Sequence, residues 1–173
     1  MIASVDFLDP ELDRVLENYA STGHVRCVRQ HLGWHPTNPA LRFATRPDLL
    51  SDDVWRGRIA ALRGLVCELE VFSSQLRDLV PVAVAYPDIQ FVLPMMGWPI
   101  DLTDDGRRGW TRALAALSAC SNVSVKIFGM HSLDRSPSTT VDSRDNRDIW
   151  PRPVHVREPY ATIHAGLQHP ATL

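Results

Sequence analysis

From Ile2 to Phe128, short apolar or β-branched runs alternate with longer segments of helical period, and this alternation restricts the fold more than any other feature. A strand that is followed by a helix and then by a parallel strand needs a crossover, so repeated units of this kind build a parallel sheet flanked by helices. Ile2 to Val5 reads as the tail of a strand. Asp9-Pro10-Glu11 then opens a helix with a cap, a first-turn proline and a first-turn acid, and Leu12, Val15, Leu16 and Tyr19 share one face before Gly23 stops it. Val25 to His31 is the next strand. Trp34-His35-Pro36-Thr37-Asn38-Pro39 holds too many turn residues to continue it, which makes a long loop at the strand's C-terminal end. Pro47 to Asp52 leads into a helix through Trp55, Ile59 and Leu62, and Gly64 closes it ahead of the run Leu65 to Phe72. Gln75 to Tyr86 reads as helix despite Pro81, and Ile89 to Leu93 as strand. Asp104 to Cys120 is the most regular helix, with Trp110, Leu114 and Leu117 in register, and Asn122 to Phe128 is the last good strand.

The pattern stops near Gly129. Residues 131–173 are rich in Pro, Arg, His and Ser and keep no sustained period, so they read as an irregular or disordered tail. The expected fold is therefore α/β, with parallel strands over residues 1–130 and an irregular C-terminal tail over 131–173. A composition of 45% hydrophobic and 22% charged residues allows one sizeable core. The formal net charge of -2, with scattered arginines, offers no basic face to a phosphate backbone, so nucleic acid is not an expected partner. No segment approaches the length of a membrane span, and the N-terminus has no basic region followed by a long apolar run, so neither insertion nor secretion is expected. Cys27, Cys67 and Cys120 are odd in number, far apart and set in apolar segments, as buried free thiols of a reducing cytoplasm would be.

Three stretches carry a further pattern: Val25-Arg26-Cys27-Val28-Arg29-Gln30-His31-Leu32-Gly33-Trp34-His35-Pro36, Phe91-Val92-Leu93-Pro94-Met95-Met96-Gly97-Trp98-Pro99, and Asn122-Val123-Ser124-Val125-Lys126-Ile127-Phe128-Gly129. Together they resemble the amidohydrolase-2 family of TIM-barrel hydrolases, in the branch that includes 2-pyrone-4,6-dicarboxylate lactonase, from the N-terminus to the neighbourhood of Asp142. The resemblance implies that the strands form part of an eight-stranded TIM-type barrel, with reactive groups at strand C-terminal ends. It also implies a lactonase or other C–O or C–N hydrolase, in which a carboxylate activates water and histidines and an arginine orient the carbonyl. A divalent metal such as zinc sometimes assists in the family.

Several departures from that pattern bear on activity. Family members begin with an earlier strand bearing His-x-His, which this sequence starts after. Where the family's strand ends in Asn-His-x-Gly, this chain has Pro94, Met95, Met96 and Gly97, and a thioether replaces imidazole neither as a proton shuttle nor as a hard-metal ligand. Ser73-Ser74-Gln75 stands where Pro-His-Gln is common. Asp148 to Tyr160 with the two codons that follow, back-translated with suitable codons and read one nucleotide later, becomes T-S-G-P-D-R-C-M-F-A-S-H-M-P, which resembles the family's seventh-to-eighth-strand segment. First and second bases must agree along that whole run. The reading is a truncated fragment with a frameshift between Val141 and Asp148, which puts residues from 142–148 onward out of frame. The water-activating Asp of the last strand falls in the lost segment, and His155, His164 and His169 carry no role.

The candidate site residues sit at strand ends and in the loops beyond them. Arg29, if it points into a barrel mouth, makes a bidentate clamp for a carboxylate; if it points outward, it pairs with a helix. His31 and His35 contact substrate or pack the loop, and the proline and glycine around them do not suit a metal site, so no metal ligand is assigned. Gln75, the part of its motif that this chain keeps, joins Arg29, His31 and His35 as a substrate-binding candidate. Lys126, between Val125 and Ile127, is a catalytic candidate if burial depresses its pKa, and otherwise pairs with a carboxylate. Glu68 and Glu70 alternate onto one face, where Glu70 is a candidate to hold water or to meet a cation from the next strand. Met95 and Met96 read as barrel core. These residues leave no proton acceptor with an orienting partner, so the expected function is an amidohydrolase-type hydrolase, impaired or inactive, acting if at all on a small lactone or carboxylate. Open sheet edges predict self-association. The alternative is a non-catalytic binding protein that uses an exposed edge or the loop Gly33 to Pro39 to hold a partner or an anionic metabolite, and a half-barrel complemented by a separate chain is a third reading.

Overall fold

The computed structural model describes residues 1–62 and 64–127 together with the strand Ala161–His164. Five strands lie parallel in sequence order: β1 (Ile2–Ser4), β2 (Cys27–His31), β3 (Val66–Glu70), β4 (Phe91–Leu93) and β5 (Val123–Ile127). The crossovers carry α1 (Leu12–Thr22), α2 (Asp53–Ile59), α3 (Leu76–Ala85) and α4 (Asp104–Leu117). Consecutive parallel neighbours joined by helices are what the alternation predicts, and they form an arc of the (β/α) TIM-type barrel that the family resemblance implies. A sixth strand, β6 (Ala161–His164), pairs antiparallel with β5. The rest of the expected irregular tail, and the frameshift junction, lie outside the described residues.

Element ends follow local chemistry. Gly23 at φ 65° donates its N–H back to Ala20 and ends α1. The start of α1 differs from expectation. Asp9 spends its carboxylate on the Glu11 N–H at 2.8 Å, two residues ahead of the helix's N-cap position at Glu11, so Pro10 and Glu11 form a turn and the helix begins at Leu12. Asp52 accepts the Trp55 N–H at 2.7 Å and caps α2. That hydrogen bond, with the Arg46 pair, holds the Asp52 carboxyl below its ordinary range. Thr103 caps α4 through Gly106.

The pleat sorts the side chains onto two sides. Register pairs Val28 with Cys67, Cys67 with Phe91 and Phe91 with Val123, and these residues are buried against the helices. Behind them Trp55 and Phe7 meet edge to face with ring centroids 5.5 Å apart, both fully buried. Gln30 lies on this helix side, where its Oε1 accepts from Trp55 Nε1 at 2.8 Å and its Nε2 donates to Asp6. The other side, the inner face of the arc, carries Cys27, Arg29 and His31 from β2, Glu68 and Glu70 from β3, Val92 from β4 and Ser124 and Lys126 from β5. All three cysteines are buried and free. Burial pushes the Cys67 thiol well above its usual pKa and raises that of Cys27, where the nearby Glu68 charge adds to the effect.

At the C-terminal end of β4 the backbone turns left-handed over four residues in succession: Met95 (φ 51°), Met96 (φ 56°), Gly97 (φ 71°) and Trp98 (φ 34°). Such a run is strained for side chains that carry a Cβ, and packing holds it. Met96 is fully buried and its carbonyl accepts the Trp110 Nε1–H at 2.8 Å. A Cβ at Gly97 would stand 2.5 Å from Leu76 Cδ2, and Leu76 is itself fully buried. Gly97→Ala is therefore expected to lower the unfolding free energy by about 2 kcal/mol or more, read by equilibrium denaturation; a variant as stable as the parent would show that this turn relaxes freely.

Candidate functional site

The inner face of the arc concentrates charge at the C-terminal half of its strands. Glu68 is fully buried and is held from both sides: Arg29 Nε lies 2.5 Å from its Oε1, and Lys126, reaching across β4, pairs with its Oε2. One step further along, Glu70 takes Arg29 Nη1 at 3.2 Å on one oxygen and His31 Nδ1 on the other. Five side chains from three strands thus form one continuous network. The reason is geometric: parallel partners in register point to the same side, so Arg29 faces Glu68 and His31 faces Glu70.

The candidate residues fall into two groups. Arg29, His31, Glu70 and Lys126 belong to the network. Arg29 points inward, and its guanidinium is engaged by two carboxylates; Lys126 is paired with Glu68. Gln75 and His35 lie in the neighbouring loop and act on backbone. Gln75 is buried; its Oε1 accepts from Trp34 N at 2.9 Å and Phe72 N at 3.3 Å, and its Nε2 donates to Leu32 O at 2.9 Å, so the amide ties the loop after β2 to the turn after β3. His35 Nδ1 accepts from Asn38 N at 3.0 Å and Thr37 N at 3.3 Å, closing its own turn, while Arg42 donates to His35 O and lies 4.7 Å over the Trp34 ring.

Two features were missed by sequence reasoning. The first is the pairing of His31 with Glu70, an imidazole held by a carboxylate; the strand-end positions of both were visible, but their register was not. The second is an aromatic cluster beside them. Phe43 stacks on Trp98 with centroids 6.0 Å apart and planes 15° from parallel, lies 5.8 Å from the His31 ring, and touches Phe72. Phe43 is partly open to solvent, so the cluster gives the mouth an apolar wall.

Among the described residues no three His, Cys, Asp or Glu side chains converge on a point where a metal ion could be held, so these residues do not fit a zinc site. No helix among them is long and apolar enough to cross a membrane. A separate groove of about 400 Å³ lies between β1 and α1, lined by Asp6, Asp9, Leu12 and Tyr19 among others, and shares no residue with the network.

Comparison with known proteins adds the following. The model of the amidohydrolase family Amidohydro_2 matches residues 11–164. The uncharacterized protein y4mH of Sinorhizobium fredii is 26% identical over 132 residues, which is 75% of this chain and 44% of that protein. A crystal structure of an amidohydrolase from Burkholderia multivorans with bound zinc superposes with a TM-score of 0.56 at 22% identity, over 72% of this chain and 42% of that one. A second crystal form of an amidohydrolase from the same organism, with bound HEPES, gives 0.52 at 23% identity, over 70% and 41%. At these identities the solved structures speak for the fold. The chain spans less than half the length of each of these relatives.

Proposed function

Because the chain belongs to the amidohydrolase family, we propose that it is an arc of a hydrolase barrel whose reaction is cleavage of a C–O or C–N bond in a small lactone or related carboxylic acid derivative, and that the 173-residue chain by itself is impaired in that reaction. The observation that carries this reading is the charged network Arg29–Glu68–Lys126 with Glu70–His31, placed on the inner face where the strands of such a barrel keep their chemistry. Its cations are already engaged by carboxylates. An alkyl lactone needs its carbonyl polarised and its departing alkoxide protonated, and the network offers neither an unengaged cation nor an acid positioned for that purpose. The lactonase-like branch rests on the three motifs of the sequence, and the frameshift on the out-of-frame match after Val141; resequencing the DNA there tests the latter, since neighbouring codons unable to yield the alternative peptide would end it. The buried free thiols are in keeping with a reducing compartment.

Self-association is part of the proposal. Among the described residues β1 pairs only with β2, which leaves its other edge without a strand, and Ile2 within it is exposed. Purified chain is expected to run larger than a monomer by light scattering. It is also expected to hydrolyse lactones no faster than a heat-treated control, with or without zinc. Turnover above that control would overturn the impairment. A discrete oligomer that binds a carboxylate without turnover would favour a binding protein, a reading supported by the loop that Gln75, His35 and Arg42 brace.

A further inference from the structure

We propose that His31, oriented by Glu70, is a general base that activates water against aryl esters of small carboxylic acids. The inference rests on the reading of this mouth as hydrolytic, and it concerns a substrate class, esters with an aryloxide leaving group, that the lactone reading does not include.

The geometry assigns each partner a part. Glu70 binds the His31 ring through Nδ1, which fixes the proton there and leaves the lone pair on Nε2. The Glu70 side chain is 13% exposed and that of His31 47%, so the orienting group is interior and the acceptor faces outward. Arg29 Nη1, at 3.2 Å from the other Glu70 oxygen, keeps the carboxylate from swinging away. The charged groups on this side are Glu70 and Arg29, with Glu68 and Lys126 behind them. The Phe43 ring, 5.8 Å from that of His31 and stacked on Trp98, is an apolar surface on which an aromatic leaving group packs.

The chemistry balances without a cofactor. A water oxygen forms a bond to the ester carbonyl carbon while its proton passes to His31 Nε2. The tetrahedral intermediate then collapses, the carbon–oxygen bond to the aryl group breaks, and the aryloxide departs with the electron pair. The imidazolium returns its proton to solvent. An aryloxide leaves unprotonated, so a lone base suffices here where it fails for an alkyl lactone.

The test uses the full chain with p-nitrophenyl acetate, comparing the parent with His31→Gln, Glu70→Gln and, as a control, His24→Gln, which alters an exposed histidine away from the network. His31→Gln is expected to lower the rate above the unfolded-chain background by about a hundredfold, the lower end of the range for a positioned base, and His24→Gln to leave it unchanged. Glu70 is a positioning residue, so Glu70→Gln is expected to lower the rate less and to change the ring itself: nitrogen NMR should find Nδ1 protonated and Nε2 bare in the parent, with that preference lost in the variant. The parent reaction should be slower in D2O, because a proton moves in the slow step. A His31→Gln rate equal to the parent's, a parent ring protonated on Nε2, or equal rates in H2O and D2O would each overturn the assignment. Lactone turnover, in contrast, bears only on the family reading.

Discussion

Glu68→Gln is expected to lower the unfolding free energy by about 3 kcal/mol in equilibrium denaturation, one of the two largest single-residue effects in the chain. The carboxylate is fully buried, and removing its charge leaves Arg29 and Lys126 facing each other across the inner surface of the sheet. The loss stays near the low end of what breaking a buried pair costs, because the two cations are 30% and 33% exposed and Arg29 retains Glu70. Neutralising both sides should cost less. Glu68→Met combined with Lys126→Met is expected to recover part of the stability, since no uncompensated charge is left on that flank. If Glu68→Gln is as stable as the parent, the network is not formed in solution.

Trp55→Ala should produce a loss of comparable or larger size, about 3 to 5 kcal/mol, because a fully buried indole is deleted and its site cannot collapse. Trp55 packs edge to face on Phe7 at the junction of α2 with the sheet and donates to the buried Gln30. Trp55→Phe separates the two contributions. It keeps most of the packing and removes the donor, and about 1 kcal/mol is the expected cost, since Gln30 Oε1 still faces the Phe7 N–H at 3.4 Å. Equal losses for the two variants would place the effect in the hydrogen bond rather than in the core.

How much of this was readable in the chain depends on the range of the interaction. The strands over Cys27–His31, Val66–Glu70 and Val123–Ile127 and the helix Asp104–Leu117 were legible because burial imposes its period on neighbouring residues. Pro81 inside α3 did not mislead, since Leu76, Leu79, Val82 and Ala83 still line one buried face. The start of α1 misled because the Asp9 carboxylate caps a turn instead of the helix. The left-handed run at Met95 to Trp98 gave no signal, as only Gly97 in it is a residue that favours positive φ. The site was half legible. That Glu68 and Glu70 share a face follows from the alternation of one strand, but which cation meets which carboxylate depends on register between strands 39 and 58 residues apart in sequence, and no local pattern records that. For the same reason Lys126 stayed open between base and ion-pair partner, and His31 between substrate contact and loop packing.

The inner-face network exists only if β2, β3 and β5 lie parallel in one register, so that their inward side chains meet. A double-mutant cycle between Glu68 and Lys126, built from Glu68→Gln, Lys126→Met and the pair, measures that meeting directly. A coupling free energy of about 1 kcal/mol or more is predicted, as for residues in one ion-pair network. Strictly additive losses would mean that the two side chains do not touch, and with that the inner-face network and the function built on it would fall.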